Sequence, residues 1–321
     1  MNEAFEVLKK ELPGLQKNVL LKDHTTFKIG GPAEYFFIAK KKEDVERAIR
    51  VAQKLTLPLF IFGGGSNLLV SDAGQKGLVV RMQSGAKTFA LLPGNCIRAY
   101  AGVSLSDVVL FSIKKSLGGL EWAGGLPGTF GGAIRGNAGA FGGEVKDSII
   151  SVQAFDDHFT LRNFTNAQCK FSYRSSIFKE KGWTIISATV ALKKGNKKEL
   201  RSVVDSRINY RKEKHPLEYP SAGSVFKNVD VKKIPTEFKS TFLDKIKKDP
   251  FPIVPAAWFI IGAGLTGAKI GQAQISNKHS NYIVNLGGAK AQDVLQLIQL
   301  VKDTVKKKYG IELEQEIQYL K

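Results

Sequence analysis

Polar side chains in three separate strings of the sequence could take part in catalysis. Arg174 closes the string FSYR, Ser224 lies between a glycine and an apolar run in SAGSVFKN, and Glu312, Glu314 and Glu316 alternate along ELEQEI. An arginine holds an anion with a planar, permanently charged fork, and a serine hydroxyl or a carboxyl group can donate a proton. Each string also suits a structural role: an ion pair for the arginine, a turn for the serine, and one solvated face of a strand for the glutamates. The residue types alone leave both interpretations open.

The histidines and cysteines of the sequence form no nucleophile–base pairing and no cluster with metal-ligand spacing. These residues are His24, His158, His215, His279, Cys96 and Cys169. We therefore expect no metal site. Two cysteines in 321 residues do not make a disulfide framework and favour a reducing cytoplasm.

Two glycine-rich segments are candidates for binding phosphate groups. The first is GGGSN at 63–67, and the second spans 118–143 with 11 glycines in 26 residues. Glycine lets the backbone come close to a pyrophosphate and supplies positive-φ turns that aim successive N–H groups at one point. The short segment alone could be a hairpin turn, but a second and long one is poorly explained by packing. We expect the two segments to bind a pyrophosphate, although neither has the P-loop pattern.

A third glycine pattern, GAGLTG at 262–267, resembles the dinucleotide fingerprint in its letters only. The fingerprint requires a helix after the glycines and an acidic residue about 20 positions later. Here the β-like string AKIGQAQIS follows, and no acidic residue lies near position 287. We interpret the pattern as the end of a helix that begins at Pro255 and is capped by Gly264.

The elements that must position these residues follow from hydrophobic periodicity and turn signals. Helices are predicted at 2–12, 43–55, 105–116, 198–211, 255–261 and 292–308. Strands are predicted at 34–38, 59–62 and 280–285, with short β-like runs between 77 and 192 and a strand-like C-terminal end. The strands around the helix at 43–55 suggest a β-α-β unit. Breaks near residues 75 and 195 divide the chain into three regions.

The composition indicates a folded protein with a basic surface. Hydrophobic residues make up 43% of the chain, enough for a core. No apolar run reaches the ~18 residues of a membrane helix, and the N-terminus lacks a secretion-signal pattern. The net charge of +19 fits a solvated surface, a small polyanionic ligand or nucleic acid. The lysine clusters lack interleaved aromatic residues, which disfavours nucleic acid.

Seven strings of the sequence, in order from about Leu21 to the C-terminus, match the motifs of one family. They are TTFKIGGPAEYF, PLFIFGGGSNLLVSD, GLEWAGGLPGTFGGAIRGNAGAFGGE, FSYRSS, YRKEKHPLEYPSAGSVFKN, AGLTGAKIGQAQISNKHSNYIVN and LEQEI. On these strings the chain resembles the UDP-N-acetylenolpyruvoylglucosamine reductases, flavoproteins of bacterial peptidoglycan precursor synthesis. The short PLEYPSAGS segment looks like the type II branch of that family.

The resemblance implies an α+β fold with an FAD-binding region of the p-cresol methylhydroxylase / vanillyl-alcohol oxidase type, made of two α+β subdomains, and a C-terminal α+β substrate domain. The subdomains would span 1–75 and 76–195 and the substrate domain 196–310, while a C-terminal strand at 311–321 would return to the first subdomain. The implied cofactor is FAD, with NADPH as hydride-donating co-substrate and a sugar nucleotide as substrate. We expect a cytoplasmic monomer that needs neither nucleic acid nor a membrane.

The resemblance also implies roles for single residues. Arg174 would hold the substrate carboxylate, Glu316 would act at the same intermediate in its protonated form, through a raised pKa, and Ser224 would protonate the carbanion. The positions that match substrate contacts are Tyr173, Lys227 and Asn228. The positions that match FAD contacts are Gly63, Gly64, Gly65, Ser66, Asn67, Leu68, Gly124, Gly125, Pro127, Gly128, Gly131, Gly132, Asn137, Ala138, Gly139 and Arg211.

The chain departs from the family pattern in the predicted substrate domain. Ile261 and Gly262 stand where acidic or amide residues are usual, and Gln272 stands in place of a glycine. Two other functions stay open at this point. Another FAD oxidoreductase of the same fold could oxidise a sugar or an alcohol, although it would need no proton donor for a carbanion. A basic nucleic-acid-binding protein would explain the charge without any chemistry.

Overall fold

The computed structural model describes residues 3–84 and 88–321, and its strands and helices, numbered along the chain, fall into two units. Unit 1 comprises Met1–Val19, Ala33–Gly64 and Lys76–Tyr210. Unit 2 comprises Leu20–Pro32, Gly65–Gln75 and Arg211–Lys321. The division into 1–75, 76–195 and 196–310 stays a prediction.

The first sheet of unit 1 has the strand order β1-β2-β5-β3. Its strands are β1 (Gln16–Leu20), β2 (Pro32–Ala39), β3 (Leu59–Phe62) and β5 (Gln75–Met82). Strand β3 runs parallel to β5, with Leu59 opposite Leu78. The accompanying helices are α1 (Glu3–Glu11) and α2 (Lys42–Lys54). Helix α2 buries Val45, Ala48 and Ile49, so the predicted apolar face is confirmed.

The second sheet of unit 1 is antiparallel, with the order β12-β11-β13-β7-β6. Its strands are β6 (Phe89–Leu92), β7 (Cys96–Tyr100), β11 (Ile149–Phe155), β12 (Leu161–Thr165) and β13 (Thr184–Ala191). Two short pairs join β8 (Leu117–Gly118) to β14 (Lys193–Lys194) and β9 (Gly139–Ala140) to β10 (Gly143–Glu144). The helices are α3 (Leu105–Lys114), α4 (Phe130–Arg135), α5 (Ile177–Glu180) and α6 (Lys197–Lys214). Buried side chains of both sheets, such as Val80 and Val152, share one apolar core.

Unit 2 contains short strands and one long helix. The main sheet is β15 (Ser221–Ser224), β20 (Tyr282–Asn285), β19 (Ala273–Ile275) and β18 (Lys269–Ile270), in this order. Strand β16 (Val229–Asp230) pairs with β17 (Ile253–Val254), and β4 (Leu68–Val70) runs parallel to β21 (Gln318–Leu320). The helices are α7 (Thr236–Lys239), α8 (Ala256–Gly262) and α9 (Ala291–Tyr309). Helix α9 buries Val294, Leu297 and Val301 in a second apolar core.

The glycines after α8 end the helix, as predicted. Gly264 has a φ of +75°, and its N–H donates to Ile261 O at 2.9 Å. The short strands β18 and β19 follow, so the dinucleotide fingerprint is indeed a match in letters only.

The predicted C-terminal strand is right for β21 and wrong for the glutamate string before it. Residues 311–314 are not in a strand, and Gln315 forms only an isolated bridge with Phe226. Burial nevertheless alternates there, because Leu313 and Ile317 are buried while Glu312 and Glu314 are exposed.

Among residues 3–84 and 88–321, no helix combines the length and the apolar character that a bilayer crossing requires. In the same ranges, no three His, Cys, Asp or Glu side chains are grouped so that they could hold a metal ion.

Candidate active site

The two glycine-rich segments meet in unit 1. A Cβ atom added to Gly63 would lie 2.1 Å from Thr129 Oγ1, and one added to Gly64 would lie 2.8 Å from the Cα atom of Gly128. A Cβ at Gly64 would meet fixed backbone, so only glycine permits the approach there, whereas a Cβ at Gly63 would require the Thr129 side chain to move. Thr129 also caps α4, because its hydroxyl accepts a hydrogen bond from the Gly132 N–H at 3.3 Å. The structure therefore brings Gly63 and Gly64 together with Gly128 and Gly132 of the predicted cofactor site.

Other glycines of the second segment have structural reasons of their own. A Cβ on Gly124 would lie 2.9 Å from Val204 O of α6, and one on Gly131 would lie 2.5 Å from the Cβ of Ala101. Gly125 and Gly128 turn the backbone on either side of Pro127, with φ values of +74° and +107°. Close packing and tight turns thus account for part of the glycine content that suggested a ligand.

Asn137 is a buried connector between two parts of the predicted site. Its side chain is 0% exposed, its Nδ2 donates to Ser172 O at 3.0 Å, and its Oδ1 accepts from the Lys146 N–H at 3.1 Å. Ala138 follows, and Gly139 pairs with Glu144 across β9 and β10. Asn137 therefore ties the 137–139 segment to the turn that carries Arg174.

Arg174 is held against that same segment. The turn is closed by reciprocal backbone hydrogen bonds between Ser172 and Ser175, and Arg174 has a positive φ of 56°. Its Nη2 donates to Gly139 O at 2.9 Å, and its guanidinium carbon lies 5.0 Å from the ring centre of Tyr173. The predicted catalytic arginine, the predicted substrate residue Tyr173 and the predicted FAD contact Gly139 thus lie together in unit 1.

In unit 2, the rest of the GGGSN segment leads directly to the glutamate string. Gly65 has a φ of +61° and accepts a hydrogen bond from the Thr26 N–H. After Ser66, Asn67 Nδ2 donates to Glu316 O at 3.2 Å. Leu68 then begins β4, opposite Gln318 of β21.

Ser224 is placed by a bulge in β15. Opposite β20, Ser221 pairs with Val284 and Ser224 pairs with Tyr282, so β15 has one extra residue between the two pairs. Gly223 adopts a φ of +78° there, as expected for a bulge that redirects the next side chain. Ser224 therefore lies on the same face of the sheet as Tyr282.

Val225 and Phe226, which follow Ser224, are hydrogen-bonded on both sides of the chain. Asn281 is 3% exposed; its Oδ1 accepts from the Phe226 N–H at 3.0 Å and its Nδ2 donates to Phe226 O at 2.9 Å. On the other side, the Glu316 N–H donates to Val225 O at 2.7 Å. Ser224 and Glu316, which lie far apart in the sequence, thus belong to adjacent backbone segments.

Tyr282 lies between two polar residues of unit 2, Ser224 and His215. It lies directly opposite Ser224 in the β15–β20 pair, and its hydroxyl lies 3.1 Å from His215 Nδ1. Burial raises the pKa of Tyr282, while Arg211 and Ser224 oppose the rise and Glu316 adds to it. Burial lowers the pKa of His215 to about 4, assisted by the positive charges of its neighbours, so the imidazole is neutral near pH 7.

Lys227 and Asn228 of unit 2 have structural partners, and Arg211 is buried. Lys227 Nζ forms an ion pair with Glu314, and Asn228 Oδ1 accepts from the Ala256 N–H at 3.3 Å, at the start of α8. Arg211 is only 7% exposed. Their roles toward a substrate or FAD stay predictions.

Sequence reasoning missed Thr129, His215, Asn281 and Tyr282. The signal for Asn281 and Tyr282 was available, since the string SNYIVN places polar groups immediately before a buried strand. His215 carried no such signal, because its partner Tyr282 is 67 residues away.

Comparison with known proteins relates both units to one family. Residues 33–163 match the FAD binding domain family, and residues 215–320 match the family of the UDP-N-acetylenolpyruvoylglucosamine reductase C-terminal domain. The UDP-N-acetylenolpyruvoylglucosamine reductase of Lachnoclostridium phytofermentans is 39% identical over 306 residues, covering 94% of this chain and 92% of that protein. The one from Clostridium novyi is 38% identical over 318 residues, covering 99% and 95%.

The chain belongs to the UDP-N-acetylenolpyruvoylglucosamine reductase family. The crystal structure of a UDP-N-acetylenolpyruvylglucosamine reductase from Thermus caldophilus has a TM-score of 0.75 and 30% identity to it, covering 96% of this chain and all of that one. The predicted fold class, an FAD-binding region of the p-cresol methylhydroxylase type followed by a C-terminal α+β domain, is thereby confirmed.

The residues of unit 1 fit an FAD site in their chemistry. The FAD binding domain match spans both glycine-rich segments. Gly63 and Gly64 pack directly against Thr129 and Gly128, so two glycine-rich backbone segments lie side by side, and glycine backbone of this kind can present main-chain N–H groups to a pyrophosphate.

Proposed function

We propose that this chain is a UDP-N-acetylmuramate dehydrogenase. It reduces the enolpyruvyl group of UDP-N-acetylglucosamine-enolpyruvate to UDP-N-acetylmuramate with NADPH, as a cytoplasmic monomer in peptidoglycan precursor synthesis. Identity of 38–39% to two proteins named UDP-N-acetylenolpyruvoylglucosamine reductase, over nearly their full length, supports the activity. The observation that carries the proposal is the adjacency of Ser224 and Glu316, whose segments are joined by the hydrogen bond from Glu316 N–H to Val225 O.

In this proposal, FAD is held by the two glycine-rich segments, by Asn137–Gly139 and by Arg211. When bound, FAD supplies the hydride that NADPH provides. The protein contributes binding, orientation and electrostatics. A basic surface, with a net charge of +19, would attract the phosphate-bearing substrates.

Arg174 is proposed to hold the substrate carboxylate. Hydride addition to the methylene carbon leaves negative charge on the neighbouring carbon and its carboxylate, and that charge must be stabilised where it develops. The bond from Arg174 Nη2 to Gly139 O at 2.9 Å and the stacking on Tyr173 orient the guanidinium, so that little reorganisation is needed when the anion forms. Tyr173, Lys227 and Asn228 complete the proposed substrate contacts.

Ser224 is proposed to give its proton to that carbon. A neutral hydroxyl is a weak acid in water, but it can act when it is positioned against a strongly basic centre. Glu316 is proposed to act beside the same intermediate in its protonated form, since a charged carboxylate would repel the developing anion.

The decisive experiment separates the two half-reactions under anaerobic conditions. NADPH should bleach the absorbance of the bound FAD, and the enolpyruvyl sugar nucleotide should then restore it. Ser224→Ala should leave the first step near normal and slow the second by about 10²–10⁴-fold, the contribution of a general acid. Ser221→Ala, in the same strand, is the matched control and should leave both steps unchanged.

Two results would contradict the proposal. An equal loss in both half-reactions of Ser224→Ala would remove the assigned role from Ser224. Bleaching by a sugar or an alcohol, without any response to NADPH, would favour an oxidase of the same fold.

A further inference from the structure

Two polar side chains, Tyr282 and His215, form a row that leads away from Ser224, the proposed proton donor. Ser224 lies directly opposite Tyr282 in the β15–β20 pair, where its side chain influences the pKa of the Tyr282 hydroxyl, and that hydroxyl lies 3.1 Å from His215 Nδ1. The donor and acceptor roles are interchangeable along this row, because each hydroxyl and each neutral imidazole can both donate and accept. A row of this kind can carry a proton from His215 at one end to Ser224 at the other.

We propose that Tyr282 and His215 form a relay that orients the Ser224 hydroxyl and restores its proton. The inference rests on the proposed function, since it assigns these residues to the protonation step of that reaction. Tyr282 and His215 are positioning residues here, because they act through Ser224.

The backbone keeps the first link of the relay in register. Ser224 and Tyr282 are directly opposite each other in the β15–β20 pair. The bulge at Gly223 adds one residue to β15, so that Ser221 and Ser224 lie on the same face of the sheet. Without the bulge, the regular alternation would place Ser224 on the opposite face. The geometry that points Ser224 at Tyr282 is thus built into the sheet.

The middle of the row is its most buried part. Tyr282 is 8% exposed, whereas Ser224 at one end and His215 at the other are half-buried, so a proton can enter at the His215 end and leave at the Ser224 end. The ring of His279 lies edge-on to both, at 5.5 Å from His215 and 4.9 Å from Tyr282 between ring centres. This packing holds the two rings in place.

The proton balance of the relay is simple. The Ser224 O–H bond breaks as its proton moves to the substrate carbon, and the Ser224 oxygen takes the proton of the Tyr282 hydroxyl. Tyr282 takes the proton of His215 Nδ1, and His215 Nε2 accepts one from water, which leaves hydroxide in the solvent. His215 returns to the Nδ1–H form by proton exchange with solvent before the next turnover. The net change is one proton from solvent to substrate, and no group of the protein is oxidised or reduced.

The electrostatics keep the row neutral between turnovers. Burial raises the pKa of Tyr282, so the phenol stays protonated despite the opposing effect of Arg211. Burial and the charges of His279, Arg211 and Lys278 lower the pKa of His215 to about 4. A neutral His215 with its proton on Nδ1 is therefore the form that can donate to Tyr282.

The test is Tyr282→Phe, which keeps the ring and removes only the hydroxyl. We expect NADPH to bleach the FAD at the normal rate and the enolpyruvyl substrate to react about 10- to 100-fold more slowly, a smaller loss than that of a missing general acid. In mixtures of light and heavy water, the wild-type second step should show more than one proton in motion, and Tyr282→Phe only one. Tyr309→Phe, the same change at a buried tyrosine of α9, should behave as wild type.

A second variant, His215→Gln, and an NMR measurement that needs no turnover show whether a slow Tyr282→Phe protein is merely misfolded. His215→Gln should also slow only the second step. In protein labelled with ¹⁵N-histidine, NMR should show His215 as a neutral imidazole protonated at Nδ1, with that signal shifted in Tyr282→Phe.

Unchanged rate and isotope effect in Tyr282→Phe would overturn the relay, as would equal slowing of both half-reactions in both variants. A wild-type protein that does not reduce the enolpyruvyl group would overturn the proposed function instead. The NMR result would still decide whether the hydrogen-bonded row exists.

Discussion

Gly63→Ala tests the contact between the two glycine-rich segments. The new methyl group would lie 2.1 Å from Thr129 Oγ1 and 3.0 Å from Thr129 Cγ2, so the threonine side chain must move. Gly63 does not adopt a positive φ, and alanine therefore adds no backbone strain of its own. The whole effect should come from this one contact.

The expected loss has two parts. Forcing a methyl group into a filled space typically costs about 1–3 kcal/mol. The displaced Thr129 hydroxyl also gives up its hydrogen bond with the Gly132 N–H, and losing such an N-terminal cap costs about 1 kcal/mol. We expect Gly63→Ala to lower the free energy of unfolding by about 2–4 kcal/mol in total.

A double-mutant cycle with Thr129→Ala isolates the contact. Thr129→Ala alone loses the cap, at about 1 kcal/mol. With Oγ1 and Cγ2 gone, the nearest remaining atom to the new methyl group is Thr129 Cβ at 3.1 Å, so Gly63→Ala should then cost about 1 kcal/mol or less. Urea titrations of the four proteins would measure a coupling of about 1–4 kcal/mol, at or above the roughly 0.5–3 kcal/mol typical of residues in direct contact.

Gly136→Ala is the matched control, because a Cβ at that position has its nearest neighbour at 3.7 Å and the residue has a φ of −91°. It should not reduce stability. Gly63→Ala should also release FAD more readily on gel filtration, while Gly136→Ala retains it. Additive losses within about 0.5 kcal/mol would mean that Gly63 and Thr129 do not touch, and the argument for a shared cofactor surface would fail.

Two further predictions concern unit 2. Asn281→Ala leaves the buried N–H and C=O of Phe226 without partners and should cost about 2–6 kcal/mol at about 1–3 kcal/mol for each group; urea unfolding checks this, with the exposed Asn277→Ala as a neutral control. His215 has a pKa of about 4 when folded against about 6.5 when unfolded, so the unfolded chain binds the extra proton and stability falls as the pH drops from about 6.5 to 4. Urea midpoints across that range should fall less steeply for His215→Gln than for wild type, and an identical pH dependence would contradict the buried, neutral imidazole.

Elements with a strong local signal were predictable from the sequence. Helix α2 buries Val45, Ala48 and Ile49 as its apolar spacing indicated. The cap at Gly264 followed from a glycine after an apolar run, because the positive φ there is a local demand. These features depend on neighbours within one or two turns of the chain.

The glutamate string shows where local reasoning fails. Its alternation predicted a strand, but a strand needs a partner over its length, and Phe226 bridges only to Gln315. The alternation of burial survives because Leu313 and Ile317 still enter the core of unit 2. Period-2 patterning reports which side chains are buried, and it does not by itself specify a hydrogen-bonded ladder.

The position of Ser224 is a tertiary property that no local pattern contains. A Cβ on Gly223 would meet nothing closer than 4.0 Å, so glycine is needed there for its φ of +78° and not for space. Without further contacts, the bulge that this φ permits could move along the strand. Asn281 and Glu316, from two distant parts of the chain, fix the residues that follow through their bonds to Phe226 and Val225. The serine can therefore be recognised by its motif, but its direction depends on contacts that form only when unit 2 is complete.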